Sequence, residues 1–124
     1  MKRLIAAAVL LFCVAASYLF GYFYIQKTCD KANTLLDNCV SAYKTEQNAK
    51  NKAEELEKFW GEKEKLLSVF ANHSEIDEIE LAIYSLKVYS ETSDNEIFYE
   101  YSGTVKTLLH QLLEDTIPSV HSIF

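Results

Sequence analysis

Apolar and polar positions alternate along this chain in stripes whose period changes only where an element is expected to end. Leu4 to Ile25 is one uncharged apolar run. Beyond it, Ile25, Cys29, Ala32, Leu36, Cys39 and Tyr43 recur at alternating spacings of four and three, the seam of a helix packed against another. Neither Gly nor Pro separates run from seam, so one helix is expected from Leu4 to about Tyr43. A second seam reads Ala49, Ala53, Leu56, Trp60, Leu67 and Phe70, flanked by Phe59 and Leu66 and interrupted at Lys63. The polar stretch "KTEQNAKN" lies between the two seams. A single rod through it would leave both stripes in water, so a hairpin bend is expected there, with Thr45 as the N-cap of the second helix.

The third stripe is Ile76, Ile79, Ile83 and Leu86, with Ala82 beside it. Asn72 or Ser74 is placed to cap this helix. Glu75, Asp77 and Glu78 then fall near its start, against the positive end of the helix dipole. "SETSDNE" breaks the pattern and offers Ser93 or Asp94 as the next cap. A fourth helix carries Ile97, Phe98, Tyr101, Val105, Leu108, Leu109, Leu112 and Ile117, and Pro118 ends it ahead of the tail "SVHSIF". The expected fold is all-α: an N-terminal transmembrane helix running into a small antiparallel helical bundle.

Composition agrees with this picture and narrows the function. The chain has 124 residues, 49% of them hydrophobic, with one proline and three glycines. A net charge of −6, with no basic face interleaved with aromatics, argues against a nucleic-acid partner, because phosphate backbones are bound by clustered Lys and Arg.

As a helix, the run 4–25 would reach about 33 Å, enough to cross a hydrocarbon core of about 30 Å. It ends in Tyr18, Phe20, Tyr22, Phe23 and Tyr24, where aromatic rings settle at a membrane interface. The competing reading is a signal peptide cut beyond Ala15 and Ser17. That cut would leave a mature chain beginning "YLFGYFYI", a sticky end with no home, so an uncleaved signal anchor is expected. Cys13 follows Phe12, not the small residue that a lipoprotein cleavage site requires. Lys2 and Arg3 face Lys27 and Lys31 across the run, a near balance. The signal-like start tips it towards a cytoplasmic N-terminus (1–3), a transmembrane helix (4–25) and an extracytoplasmic bundle (26–124).

The N-terminal span, Trp60 in a helix about a dozen residues before "FANHSEIDEIE", and the apolar tail resemble the bacterial domain-of-unknown-function family 4363. The resemblance covers nearly the whole chain. It implies recurrent positions at Trp60, His73 and Glu75. The tail departs from the family pattern, because His121-Ser122-Ile123-Phe124 lacks the asparagine that the family carries there. The resemblance brings an architecture and no chemistry.

Candidate sites are few. His73 with Glu75 and Asp77 offers metal-ligating side chains. Residues two apart point to different sides of a helix, however. His73 is therefore expected to close the second helix from just outside the third, and the acids to cap the third. His110 and Glu114, four apart, share a face and are the other metal candidates, although solvated neighbours are the ordinary outcome. No His-Glu-x-x-His, phosphate loop or nucleophile elbow is present. No cofactor and no catalytic residue is expected.

Cys29 and Cys39 stand about 15 Å apart along one helix, too far for the roughly 5.5 Å of a disulfide. They are expected to be buried, or to meet their own copies in a parallel homodimer. Trp60 is expected as a core anchor, with a partner contact as the alternative. Tyr84, Tyr89, Tyr99 and Tyr101 form a candidate aromatic surface. These residues point to a non-catalytic accessory or scaffold subunit, seated in the lipid bilayer and binding another membrane or envelope protein. The alternative is a metal- or ligand-sensing bundle.

Overall fold

The computed structural model describes residues 1–45 and 47–116. Ile117, the Pro118 stop and the tail His121–Phe124 lie outside the described residues. Four helices follow in order: α1 (Lys2–Lys44), α2 (Ala49–Phe70), α3 (His73–Tyr89) and α4 (Asn95–Thr116).

α1 is 43 residues long, about 64 Å at ~1.5 Å per residue. Its two parts have different surroundings. Residues 2–20 are exposed on every side. From Gly21 onward α1 buries Gly21, Ile25, Thr28, Cys29, Ala32, Leu36, Cys39 and Ala42. The seam expected from the spacing is therefore the face that packs, shifted at its far end. Ala42 is buried there, while Tyr43 is half-buried and stacks on Phe98 with centroids 3.8 Å apart.

The chain bends between Lys44 and Ala49, as the two stripes require, but the caps differ from expectation. Thr45 belongs to the end of α1: its hydroxyl donates to the Ser41 carbonyl at 3.0 Å, and its N–H also returns to that carbonyl. A side chain committed to the turn behind it cannot cap the helix ahead. Asn48 takes the N-cap position of α2, without a side-chain hydrogen bond. At the next corner Asn72 Oδ1 accepts from the Ser74 N–H at 2.9 Å, so Asn72 is the N-cap of α3. His73 is thus the first residue of α3 and not a residue outside it. Asp94 Oδ1 accepts from the Ile97 N–H at 3.3 Å and caps α4.

α1 packs against α2 and α4, and α3 packs against the same two from the opposite side. The result is an up-down-up-down four-helix bundle, with the distal part of α1 as its first member. Trp60, Leu56, Leu36, Ile79, Ile83, Leu86, Phe98 and Leu109 fill its core. At about 1.5–3 kcal/mol for each such side chain removed from water, this layer supplies most of the bundle's cohesion. Two ties fasten the distal end, where the Tyr43 hydroxyl donates to Asn95 Oδ1 at 2.7 Å and Lys50 Nζ meets Glu91 Oε1 at 2.9 Å.

At the opposite end the α2–α3 corner comes down on Gly21. A Cβ at that position would collide with the Phe70 ring, so only glycine admits this approach. Phe20 and Tyr24 flank the same ring, with centroids 6.1 and 6.4 Å away. The bundle therefore begins four residues before the apolar run ends at Ile25.

Candidate functional site

His73 extends from the start of α3 back towards α2. Its Nδ1 stands 3.4 Å from Ser68 Oγ, and its Nε2 stands 3.4 Å from Asp77 Oδ2, one turn ahead on its own helix. The pair is open to solvent. Glu75 leaves the helix on another side, as residues two apart must, and meets Asp115 from α4. The structure thus brings His73 together with Asp77 and separates it from Glu75. His110 Nε2 and Glu114 Oε1 form an exposed i,i+4 pair at 3.0 Å. Among the described residues, no group of three or more His, Cys, Asp or Glu side chains is placed to hold a metal ion.

Two carboxyl pairs stand between helices instead. Glu75 shares a hydrogen bond with Asp115 across α3 and α4. Burial, that carboxyl neighbour and then Glu78 push its pKa up to about 7. Glu64 on α2 does the same with Glu80 on α3. Burial first, then Glu80 and Asp77, push it up to about 7. Glu64 Oε1 is shut off from water and receives no donor. Two carboxyls can hydrogen-bond only when one keeps its proton, so each pair holds a proton at near-neutral pH.

Neither pairing was anticipated from the sequence, though one signal was available. Glu64 stands four after Trp60 and three before Leu67, which is an inward position on the α2 stripe. The residue that interrupts the seam from within is Glu64, next to the Lys63 that catches the eye.

The thiols of α1 also face inward. Cys29 Sγ lies 3.7 Å from the Leu109 carbonyl and Cys39 Sγ 3.6 Å from the Ala49 carbonyl. Burial, with a smaller contribution from Asp30, pushes Cys29 up to about 12, and burial pushes Cys39 up to about 11. Both are protonated and covered by helices of their own chain. A disulfide between copies at these positions would require the bundle to open.

Trp60 is 1% exposed, and its indole N–H donates to the Ile76 carbonyl at 3.3 Å. It anchors α2 on α3 from inside and presents no surface to a partner. Of the four tyrosines, Tyr89 and Tyr101 stack on each other at 5.3 Å and Tyr99 packs edge-on to Tyr43, while Tyr84 is left facing solvent.

The architecture is thus that of a four-helix bundle built onto the end of a long apolar helix. The chain belongs to the family described as Domain of unknown function (DUF4363), whose model matches residues 19–123. The match starts beside Gly21, where packing begins, so the family description attaches to the bundle and leaves almost all of the bare helix outside it. No curated protein and no solved structure matches the chain.

Proposed function

We propose that the chain is a membrane-anchored, non-catalytic accessory subunit: α1 crosses the bilayer, and the bundle outside the cytoplasm binds another membrane or envelope protein. The observation that carries the reading is the contrast within α1. Residues 2–20 expose Leu, Ile, Val and Phe side chains on every side of one helix, which then continues unbroken into a closed core. That bare length is about 28 Å, close to the roughly 30 Å of a hydrocarbon core. An apolar helix of this length is costly in water unless lipid or protein covers it.

The partner contact is proposed on α3. Leu81, Tyr84 and Val88, at 66%, 51% and 42% exposure, follow the i, i+3, i+7 spacing of one helix face. Glu57, Asp77 and Glu80 border the upstream end of that stripe. The complementary partner is a helix with an apolar stripe edged by Lys or Arg.

The test places a photo-crosslinking amino acid singly at Leu81, Tyr84 or Val88 in the full-length chain, with Thr104 as control. Membranes are washed with carbonate before the crosslinked species are identified. One membrane or envelope protein captured from the α3 positions and not from Thr104 supports the reading. Release of the chain by carbonate would remove the anchor. Self-crosslinks alone would replace the accessory subunit with a homo-oligomer.

A further inference from the structure

The lysines of this acidic chain divide into two groups. Lys50, Lys52, Lys87 and Lys106 each stand within salt-bridge distance of a carboxylate: Glu91, Glu55, Glu57 and Asp37 respectively. Lys2, Lys27, Lys31, Lys44, Lys58, Lys63 and Lys65 have no such partner among the described residues, and of these Lys27, Lys31 and Lys63 stand together. These three line one cleft of about 380 Å³ between α1 and α2, together with Tyr24, Thr28 and Phe59, and no carboxylate is among the lining residues.

The sequence places the three lysines there deliberately in register. Tyr24, Lys27, Thr28 and Lys31 fall on one face of α1, and Phe59 and Lys63 are one turn apart on α2. Lys31 Nζ lies 5.8 Å and Lys63 Nζ 5.7 Å from the centroid of the same Phe59 ring. One aromatic ring thus orients two ammonium groups. Thr28, 4% exposed, adds a hydroxyl to the lining. Like charges gathered without a counter-ion repel, and an anion in the cleft would reverse that balance.

The level of the cleft indicates where the anion comes from. Lys27 and Lys31 stand seven and eleven residues past Phe20, where the bare helix ends, about 10 and 16 Å along the helix axis. The polar layer of a bilayer leaflet is about 5–7 Å deep, and lysine stems snorkel towards it. Towards the membrane from the lysines, the walls turn apolar: Leu66 and Phe70 continue the α2 face, and Phe20 packs edge-on to Phe70. The groove is basic above and apolar beneath, in the order in which a phospholipid presents phosphate and acyl chain.

We infer that the α1–α2 cleft formed by Lys27, Thr28, Lys31, Phe59 and Lys63 binds the head group of an anionic phospholipid in the leaflet on the bundle's side. The inference rests on the membrane-anchored reading of α1. The bound lipid fastens α2 to the span at the height where the chain leaves the bilayer.

The test is native mass spectrometry of the full-length protein in neutral detergent. Phosphatidylglycerol and phosphatidylcholine with the same acyl chains are compared, and free glycerol phosphate is offered as competitor. The chain is expected to retain one phosphatidylglycerol in preference to phosphatidylcholine, and glycerol phosphate is expected not to displace it. The K27Q/K31Q/K63Q variant should bind about fivefold more weakly per lysine removed, on the order of a hundredfold in all. K50Q/K52Q/K106Q should bind as the wild type does, and K31R/K63R should keep binding, which separates loss of charge from loss of fold.

Equal retention of the two lipids, or unchanged binding by K27Q/K31Q/K63Q, overturns the inference while leaving the anchor in place. Displacement by glycerol phosphate reassigns the cleft to a soluble phosphate and overturns it as well. A chain that carbonate releases from membranes removes the anchor and this inference together.

Discussion

Glu64 and Glu75 are where single side chains most affect the behaviour of the bundle. Each is an acid held against another acid, Glu80 and Asp115 respectively, and each has a pKa raised to about 7. In the unfolded chain both titrate at about 4.3. Between those values the folded state binds more protons than the unfolded one, so stability falls as pH rises. The contribution is fully present below about pH 4 and is lost as pH passes through about 7. Thermal melts of the full-length protein in detergent should therefore show a higher midpoint at pH 5 than at pH 8. Glu64→Gln with Glu75→Gln replaces each protonated acid with a neutral isostere, so the double variant should melt higher than wild type at pH 8 and lose most of the slope. A wild-type profile flat between pH 5 and 8 would contradict the pairing. At this scale the sequence was half legible. It led to Asn72 as a cap and to Trp60, Cys29 and Cys39 as buried residues. His73 and Glu75 stand two apart, and the helix sends them to α2 and α4, as that spacing indicates. Asp115, forty residues from Glu75, could be found only once α3 and α4 were laid side by side.

At the scale of elements, the contact between Gly21 and Phe70 determines how closely the α2–α3 corner approaches α1. The space is filled by the ring, so a larger side chain at 21 must push the corner away or leave its rotamer. Gly21→Leu is expected to destabilise the bundle by about 1–3 kcal/mol, the usual range for overpacking. Phe70→Ala in the same chain should recover part of that loss, because the two residues share one contact. Urea unfolding of the four proteins in the cycle measures the coupling, and strictly additive effects would mean that the corner does not rest on Gly21. The helices themselves were legible because each buried stripe runs at helical spacing for three turns or more, from Cys29 and Leu36 in α1 to Val105 and Leu109 in α4. Their ends were less legible. Thr45 has the right chemistry for either end of a helix, and only the position of the Ser41 carbonyl decides which. The Gly21 approach was hidden because a glycine inside an apolar run looks like part of the run.

For the whole molecule, three cysteines report on two environments and together test how the chain sits. Cys13 is exposed on the bare part of α1, whereas Cys29 and Cys39 are enclosed by the bundle. Their raised pKa values keep them as thiols, and the thiolate is the reactive form. A membrane-impermeant maleimide applied to intact membranes should therefore label none of the three. On the proposed anchor, Cys13 would be shielded by hydrocarbon, and the other two are shielded by protein. After full denaturation in SDS, three labels should appear in the intact mass. One label before denaturation would put Cys13 in water and remove the bilayer from around α1. Two labels in SDS, with a correspondingly smaller mass, would mean that cleavage beyond Ala15 and Ser17 had taken Cys13 away, leaving the bundle without its anchor. The counts differ because bilayer and core protect thiols in different ways: detergent is enough to disperse lipid from Cys13, but Cys29 and Cys39 stay hidden until α2 and α4 separate from α1. Labelling in mild detergent should accordingly expose Cys13 first. Cys29 and Cys39 should follow together at the denaturant concentration that unfolds the bundle, since they lie on one seam of one cooperative core.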